Sequence, residues 1–172
     1  YTASSNFPVF NAGTYFQGTL SGFSGFIMKF SPAGALMWSS YYANCGGFEF
    51  LTITNNGDVY GCTTTSSSTF AVMNGGGYYQ GTFSGQTDAA IIRFDNGGNL
   101  LWATYYGAGA IETACSLTHD ANGNVFLSGT TTSTNLPVQN AGGFFQTNTF
   151  GPNVTGFIAK FSPSNTLLWG TT

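Results

Sequence analysis

The sequence predicts an all-β fold made of tandem, blade-like repeats of four antiparallel strands, and three observations predict it. The first is self-similarity. Asn11-Ala-Gly-Thr-Tyr-Phe-Gln17, Asn74-Gly-Gly-Gly-Tyr-Tyr-Gln80 and Asn140-Ala-Gly-Gly-Phe-Phe-Gln146 are three copies of one motif. Each is followed by a second motif ending in Leu36-Met-Trp38, Leu100-Leu-Trp102 or Leu167-Leu-Trp169, so the tryptophans recur 64 and 67 residues apart. A fixed period of this kind marks a repeat architecture. The second observation is composition: only 5% of the residues are charged, against about 25% in an ordinary soluble domain. Polarity comes instead from Gly, Ser, Thr, Asn and Gln among many Phe and Tyr, a mixture that suits strands and tight turns better than helices. The third is a two-residue alternation within the repeated motifs, the period of a strand.

The elements follow in order within each period. A first strand over Phe26–Phe30 ends at the Ser31-Pro-Ala-Gly34 turn. A second runs from Leu36 to Tyr42, and a Gly-containing loop leads to a third over Phe50–Thr54. An Asn-Gly turn at Asn56-Gly57 then opens a fourth over Val59–Thr64. Its counterpart hairpin is Ser116-Leu-Thr-His-Asp-Ala-Asn-Gly-Asn-Val-Phe126. Phe26, Met28 and Phe30 share one face of the first strand, with Ile27 and Lys29 on the other. Both faces are largely apolar, so the sheet is expected to be covered on both sides, as radially packed propeller blades are.

The period divides the chain into repeat 1 over 1–63, repeat 2 over 64–129 and a partial repeat 3 over 130–172. Tyr1 aligns with Thr64 and Thr130, and Thr172 aligns with Tyr105. The chain therefore supplies three first-to-second hairpins and two third-to-fourth hairpins. The expectation is an open array, completed either by neighbouring repeats of a longer chain or by strand addition from neighbouring subunits in a head-to-tail homo-oligomer or filament.

Asn135-Leu-Pro-Val138, Gly156-Phe-Ile-Ala-Lys-Phe-Ser-Pro-Ser164, Leu167-Leu-Trp169 and Asp120-Ala-Asn-Gly-Asn-Val-Phe-Leu-Ser-Gly129 together resemble the SBBP-type β-propeller repeat. The resemblance extends over essentially the whole chain. It departs at Asn55-Asn-Gly-Asp58, which replaces the usual Gly-Asn turn, and at Asp88, which has no acidic counterpart at Ser24 or Thr155. What it implies is a β-propeller-type fold in a bacterial secreted or cell-surface protein, with no fixed activity.

Lys29, Arg93 and Lys160 are the only basic residues against six acidic ones, giving a net charge of −3. A phosphate-dominated nucleic-acid interface is therefore excluded from expectation. No apolar run reaches the roughly 18 residues of a membrane span, so no membrane insertion is expected. The absence of an initiator Met and of a leader reads as a mature or excised segment. Cys45, Cys62 and Cys115 form an odd set, so at least one thiol is expected to be free or paired outside the chain; some are read as small buried residues, and a disulfide between two of them is left open.

Lys29, Arg93 and Lys160 occupy one position in every repeat, where an aliphatic stem can pack between blades while the charge reaches a carbonyl or carboxylate. Trp38, Trp102 and Trp169 read as blade core. The paired aromatics Tyr15-Phe16, Tyr78-Tyr79 and Phe144-Phe145, each followed by Gln, suit two roles: packing of the connecting segment, or carbohydrate contact through Tyr15, Gln17, Tyr78, Tyr79, Gln80, Phe145 and Gln146. His119 and Asp120 read as exposed turn residues. Asp120-Ala-Asn122-Gly-Asn124 resembles the start of a calcium loop but lacks its closing Glu, so an ordinary turn is expected. Asn153-Val-Thr155 is a glycosylation sequon.

No motif unites a nucleophile, a base and an oxyanion or metal partner, so an enzyme is not expected, and no cofactor or metal is implied. The expected role is an extracellular or cell-surface structural or adhesive module. A carbohydrate-binding, lectin-like propeller is the alternative.

Overall fold

The computed structural model describes residues 1–146 and 153–172. Among these residues ten strands follow one another, β1 (Ser24–Phe30), β2 (Leu36–Ala43), β3 (Phe50–Ile53), β4 (Val59–Thr65), β5 (Asp88–Phe94), β6 (Leu100–Tyr106), β7 (Glu112–His119), β8 (Val125–Thr131), β9 (Thr155–Phe161) and β10 (Leu167–Thr171). The strands expected in the first repeat lie within two residues of those observed.

The pairing carries the main finding about organisation. β3-β4-β5-β6 form one four-stranded antiparallel sheet, β7-β8-β9-β10 form a second, and β1-β2 form a two-stranded one. Each four-stranded sheet thus joins the third and fourth strands of one sequence repeat to the first and second of the next. The sequence period and the hydrogen-bonded blade are different units. A repeat supplies half of one sheet and half of its successor, so consecutive repeats are tied by backbone ladders as well as by packing. Val59–Thr65 pairs residue by residue with Phe94–Asp88, and Val125–Thr131 with Phe161–Thr155. At β1, among the described residues, only the bridge Thr2–Ser24 stands in the matching place.

The same turn closes three hairpins. Gly34, Gly98 and Asn165 donate their amides to Ser31, Asp95 and Ser162 carbonyls at 2.9, 3.0 and 2.9 Å. The donor residue has φ of 79°, 98° and 64° respectively, a left-handed conformation that Gly and Asn tolerate best. The register shifts just before this turn in all three hairpins.

The central sheet is covered on both faces. Tyr60, Cys62, Ala89, Ile91, Trp102 and Tyr106 pack against Ala114, Leu117, Leu127, Phe157 and Phe161 of the following sheet. Ala90, Ile92, Phe94, Ala103 and Tyr105 pack on the other side against Ile27, Trp38 and Tyr42. Alternation along β5 therefore sends successive side chains into two cores, which explains why its two faces are equally apolar. Burying a Phe or Ile in such a core contributes about 1.5–3 kcal/mol.

Candidate assembly interface

The contacts between successive sheets repeat with the sequence. Arg93 lies on β5 beside Tyr60, whose ring centroid is 5.3 Å from the guanidinium carbon. Its Nε and Nη2 donate to Asp58 Oδ2 at 2.9 and 2.5 Å. Its Nη1 crosses to the next sheet and donates to the Pro163 carbonyl at 2.6 Å and to Asn165 Oδ1 at 3.1 Å. Lys29 makes the same crossing one blade earlier, donating to the Asn96 carbonyl and, at 2.6 Å, to Asn96 Oδ1. Asn96 and Pro163 are equivalent positions in the β5–β6 and β9–β10 turns. Lys29 and Arg93 are thus clamps, each from one sheet onto the hairpin turn of its successor.

The first aromatic of the first two pairs works beside the clamp. Tyr15 stacks on Tyr42 at 5.1 Å and meets Phe94 edge-on at 5.8 Å. Tyr78 meets Tyr106 at 5.6 Å and Phe161 at 5.8 Å. Their amides donate to the last carbonyl of the next turn, Tyr15 to Gly98 at 3.2 Å and Tyr78 to Asn165 at 2.8 Å. The tryptophans complete the contact, Trp38 against Phe94 at 6.0 Å and Trp102 against Phe161 at 5.6 Å. Trp102 Nε1 donates to the Tyr78 carbonyl at 2.9 Å, whereas the buried Trp38 Nε1 has no partner. Burial raises Tyr15 to about 12, with a contribution from Cys45. Burial likewise raises Tyr42, Tyr78 and Tyr106, as expected of phenols held inside a seam.

Both ends of the stack carry one half of this contact. Phe94 and Phe161 are 1% and 0% exposed, but Phe30 at the same position of β1 is 52% exposed. At the other end, Ile158 and Trp169 are half-buried, where Ile27, Ile91, Trp38 and Trp102 are buried. Phe144, the counterpart of Tyr15 and Tyr78, is 76% exposed. Lys160 turns back to Asp120 at 3.3 Å and lies 4.9 Å from the Phe126 ring centroid. The inner edge is open in the same way. Leu117 on β7 is 4% exposed, while Leu51 at the matching position of β3 is 50% exposed. An apolar groove of about 300 Å³ runs beside it, lined by Met28, Phe30, Trp38, Leu51, Ile53 and Val59.

The residues singled out for carbohydrate contact divide. Tyr15 and Tyr78 point into the seams. Gln17 Oε1 accepts from the Ala43 amide and Gln80 Oε1 from the Gly107 amide, bracing the ends of β2 and β6. Gln146 accepts from the Thr172 amide through its carbonyl. Phe145 is half-buried and Tyr79 is exposed. Tyr79 borders an open groove of about 600 Å³ with Tyr78, Gln80, Gly107, Asn135 and Pro137.

His119 differs from its expectation as an exposed turn residue. It ends β7, is half-buried, and its Nδ1 lies 2.7 Å from Thr52 Oγ1 of the preceding sheet. The long range of that contact left no trace in the local sequence. Asp120 is a turn residue: its carboxylate accepts from the Asn122 and Asn124 amides and the Asn124 side chain. The Asn124 side-chain bond leads the set that holds its carboxyl at about 2. Three free thiols are present, with Cys45 and Cys62 buried and Cys115 exposed. Burial pushes the Cys62 thiol up to about 11. Asn153 is exposed just before β9.

Sequence reasoning missed one polar cluster. Asp88 is fully buried at the start of β5. Its Oδ2 accepts from Ser84 N, Ser84 Oγ and Gln80 Nε2 at 3.1, 3.2 and 3.1 Å, and its Oδ1 has no partner. Burial raises its pKa, helped by the charge of Glu112 and opposed by the Ser84 bonds. Its lack of acidic counterparts in the other repeats was the available signal.

No curated protein matches the chain. Residues 101–137 match a protein family described as SBBP, a β-propeller repeat. The match runs from β6 through the β7–β8 hairpin into the next connecting segment, so it spans two sheets and the seam between them. Residues 101–137 are thus similar to an SBBP-type β-propeller repeat, and the flanking segments fold into the same blade-like sheets.

Proposed function

We propose that this propeller-repeat chain is an extracellular structural or adhesive module, a subunit or segment of a surface protein or filament that assembles through its open ends. The observation that carries the reading is the free edge of β1. Beyond Thr2–Ser24, nothing among the described residues pairs with the side of β1 that β4 and β8 occupy on β5 and β9. A bare strand edge beside an apolar groove is a template for strand addition. The chemistry of the charged residues supports a scaffold. Arg93, Asp58, Lys29, Asp95 and Asp120 all hold turns or adjacent sheets together. The resemblance to bacterial secreted repeat proteins supports a place outside the cell. Immunogold electron microscopy of the source material tests this: extended surface assemblies labelled by antibody to this chain support it, and label confined to isolated intracellular particles refutes it.

The open groove beside Tyr79 favours a second reading, a carbohydrate-binding propeller. An exposed ring next to Asn135 offers stacking together with an amide for hydroxyl groups. Glycan-array binding that is saturable and lost on Tyr79→Ala would support it.

A further inference from the structure

We propose that a second copy of this chain docks head-to-tail on the first, with the β7–β10 sheet of one copy covering the β1–β2 sheet of the next. The inference rests on the assembly reading above and adds a face-to-face contact to its free β1 edge. The interface already exists twice inside the molecule, and each end exposes one complementary half of it.

The donor half lies on β9, β10 and the described part of the segment that precedes β9. It consists of Ile158, Lys160, Trp169 and Phe144, the counterparts of Ile91, Arg93, Trp102 and Tyr78. The acceptor half is Phe30 with the Ser31–Gly34 turn, the counterpart of Phe161 with Ser162–Asn165. Lys160 keeps Asp120 as Arg93 keeps Asp58, and its remaining ammonium protons face outward to the carbonyl of Pro32 in the next copy. The acceptor turn matches its counterpart residue for residue at the clamp, since Pro32 stands where Pro163 accepts from Arg93. The Phe144 amide is placed to donate to the Gly34 carbonyl, as the Tyr15 amide does to Gly98.

Gly34 carries an independent mark of vacancy. A Cβ at Gly98 would lie 2.7 Å from the Trp38 indole, because that ring rests on the turn backbone. A Cβ at Gly34 would meet nothing within 4 Å. The donor loop behaves alike: a Cβ at Gly77 would lie 2.5 Å from Asn165, and one at Gly143 would meet nothing within 4 Å. Both halves therefore have the shape of the closed seam with the partner removed. A two-stranded sheet can take part in such a seam, since β1–β2 covers β5 and β6 through its opposite face with Ile27, Trp38 and Tyr42. A contact that uses different surfaces on the two copies is heterologous and propagates.

Sedimentation velocity on two single variants tests the contact. Phe30→Asp removes the acceptor and Ile158→Asp the donor. Both positions are partly exposed in the single chain, and circular dichroism with a thermal melt verifies folding. The unaltered chain is expected to gain at least about twofold in weight-average mass between about 10 µM and about 1 mM, while each variant alone stays at 18.1 kDa. An equimolar mixture of the variants is expected to form a dimer and nothing larger, because one intact donor meets one intact acceptor. Association that persists unchanged in both variants, or a mixture no heavier than its parts, overturns this contact and leaves assembly by other surfaces standing. An unaltered chain that stays monomeric throughout overturns the contact as well. It removes the assembly reading only together with isolated particles in the source material.

Discussion

Arg93 donates across the seam to the Pro163 carbonyl at 2.6 Å while holding Asp58 within its own sheet. One side chain on β5 thus joins the turn before β4, the Tyr60 ring on β4 and the β9–β10 turn of the next sheet, with both partners of the ion pair largely buried. Arg93→Ala leaves the Asp58 carboxylate buried without its counter-charge and is expected to cost about 3 kcal/mol. Arg93→Lys is expected to lose less than half of that, because Lys29 makes the same crossing in the first repeat. Urea unfolding of the two variants measures both values.

Leu51 and Leu117 occupy one position in successive repeats but differ in cover, at 50% and 4% exposure. Leu117→Ala opens a cavity under β7 and is expected to cost about 2–4 kcal/mol. Leu51→Ala is expected to cost less than about 1 kcal/mol in the isolated chain, since little apolar contact is lost there. Equal costs would mean that the inner edge is covered in solution.

Asp88 makes stability depend on pH. Its folded pKa is raised above the unfolded value by burial and by Glu112. Its contribution is therefore fully present below the unfolded value near pH 4 and is lost as pH rises through the raised folded value. Asp88→Asn retains a carbonyl acceptor for Ser84 and Gln80 and removes the charge. The variant is expected to melt higher than the parent at about pH 8, with the gap closing towards about pH 4. Thermal melts across that range check the sign.

Much of this architecture was legible in the sequence because repetition converts position into evidence. Linked motifs in register located the strands, and the triple recurrence of Lys29, Arg93 and Lys160 marked a structural device before any partner was known. The sheet boundaries were not legible. Pairing of β4 with β5 joins Thr65 to Asp88 across a connecting segment, and period alone is indifferent to which consecutive strands share a sheet. The Tyr15 and Tyr78 rings had two open readings because an aromatic beside Gln looks alike whether it faces a sugar or Phe94 and Phe161. Thr52–His119 and Arg93–Pro163 are contacts of 67 and 70 residues' separation, which no local pattern encodes.

The proposed complementarity of the two ends is tested most directly by the molar mass of the unaltered chain, measured by light scattering across a concentration series. Open complementary ends predict a mass that climbs above 18.1 kDa with concentration, and no climb when Phe30→Asp and Ile158→Asp are combined in one chain. A mass fixed at that of one chain at every concentration, or a climb unaffected by the double substitution, would contradict it.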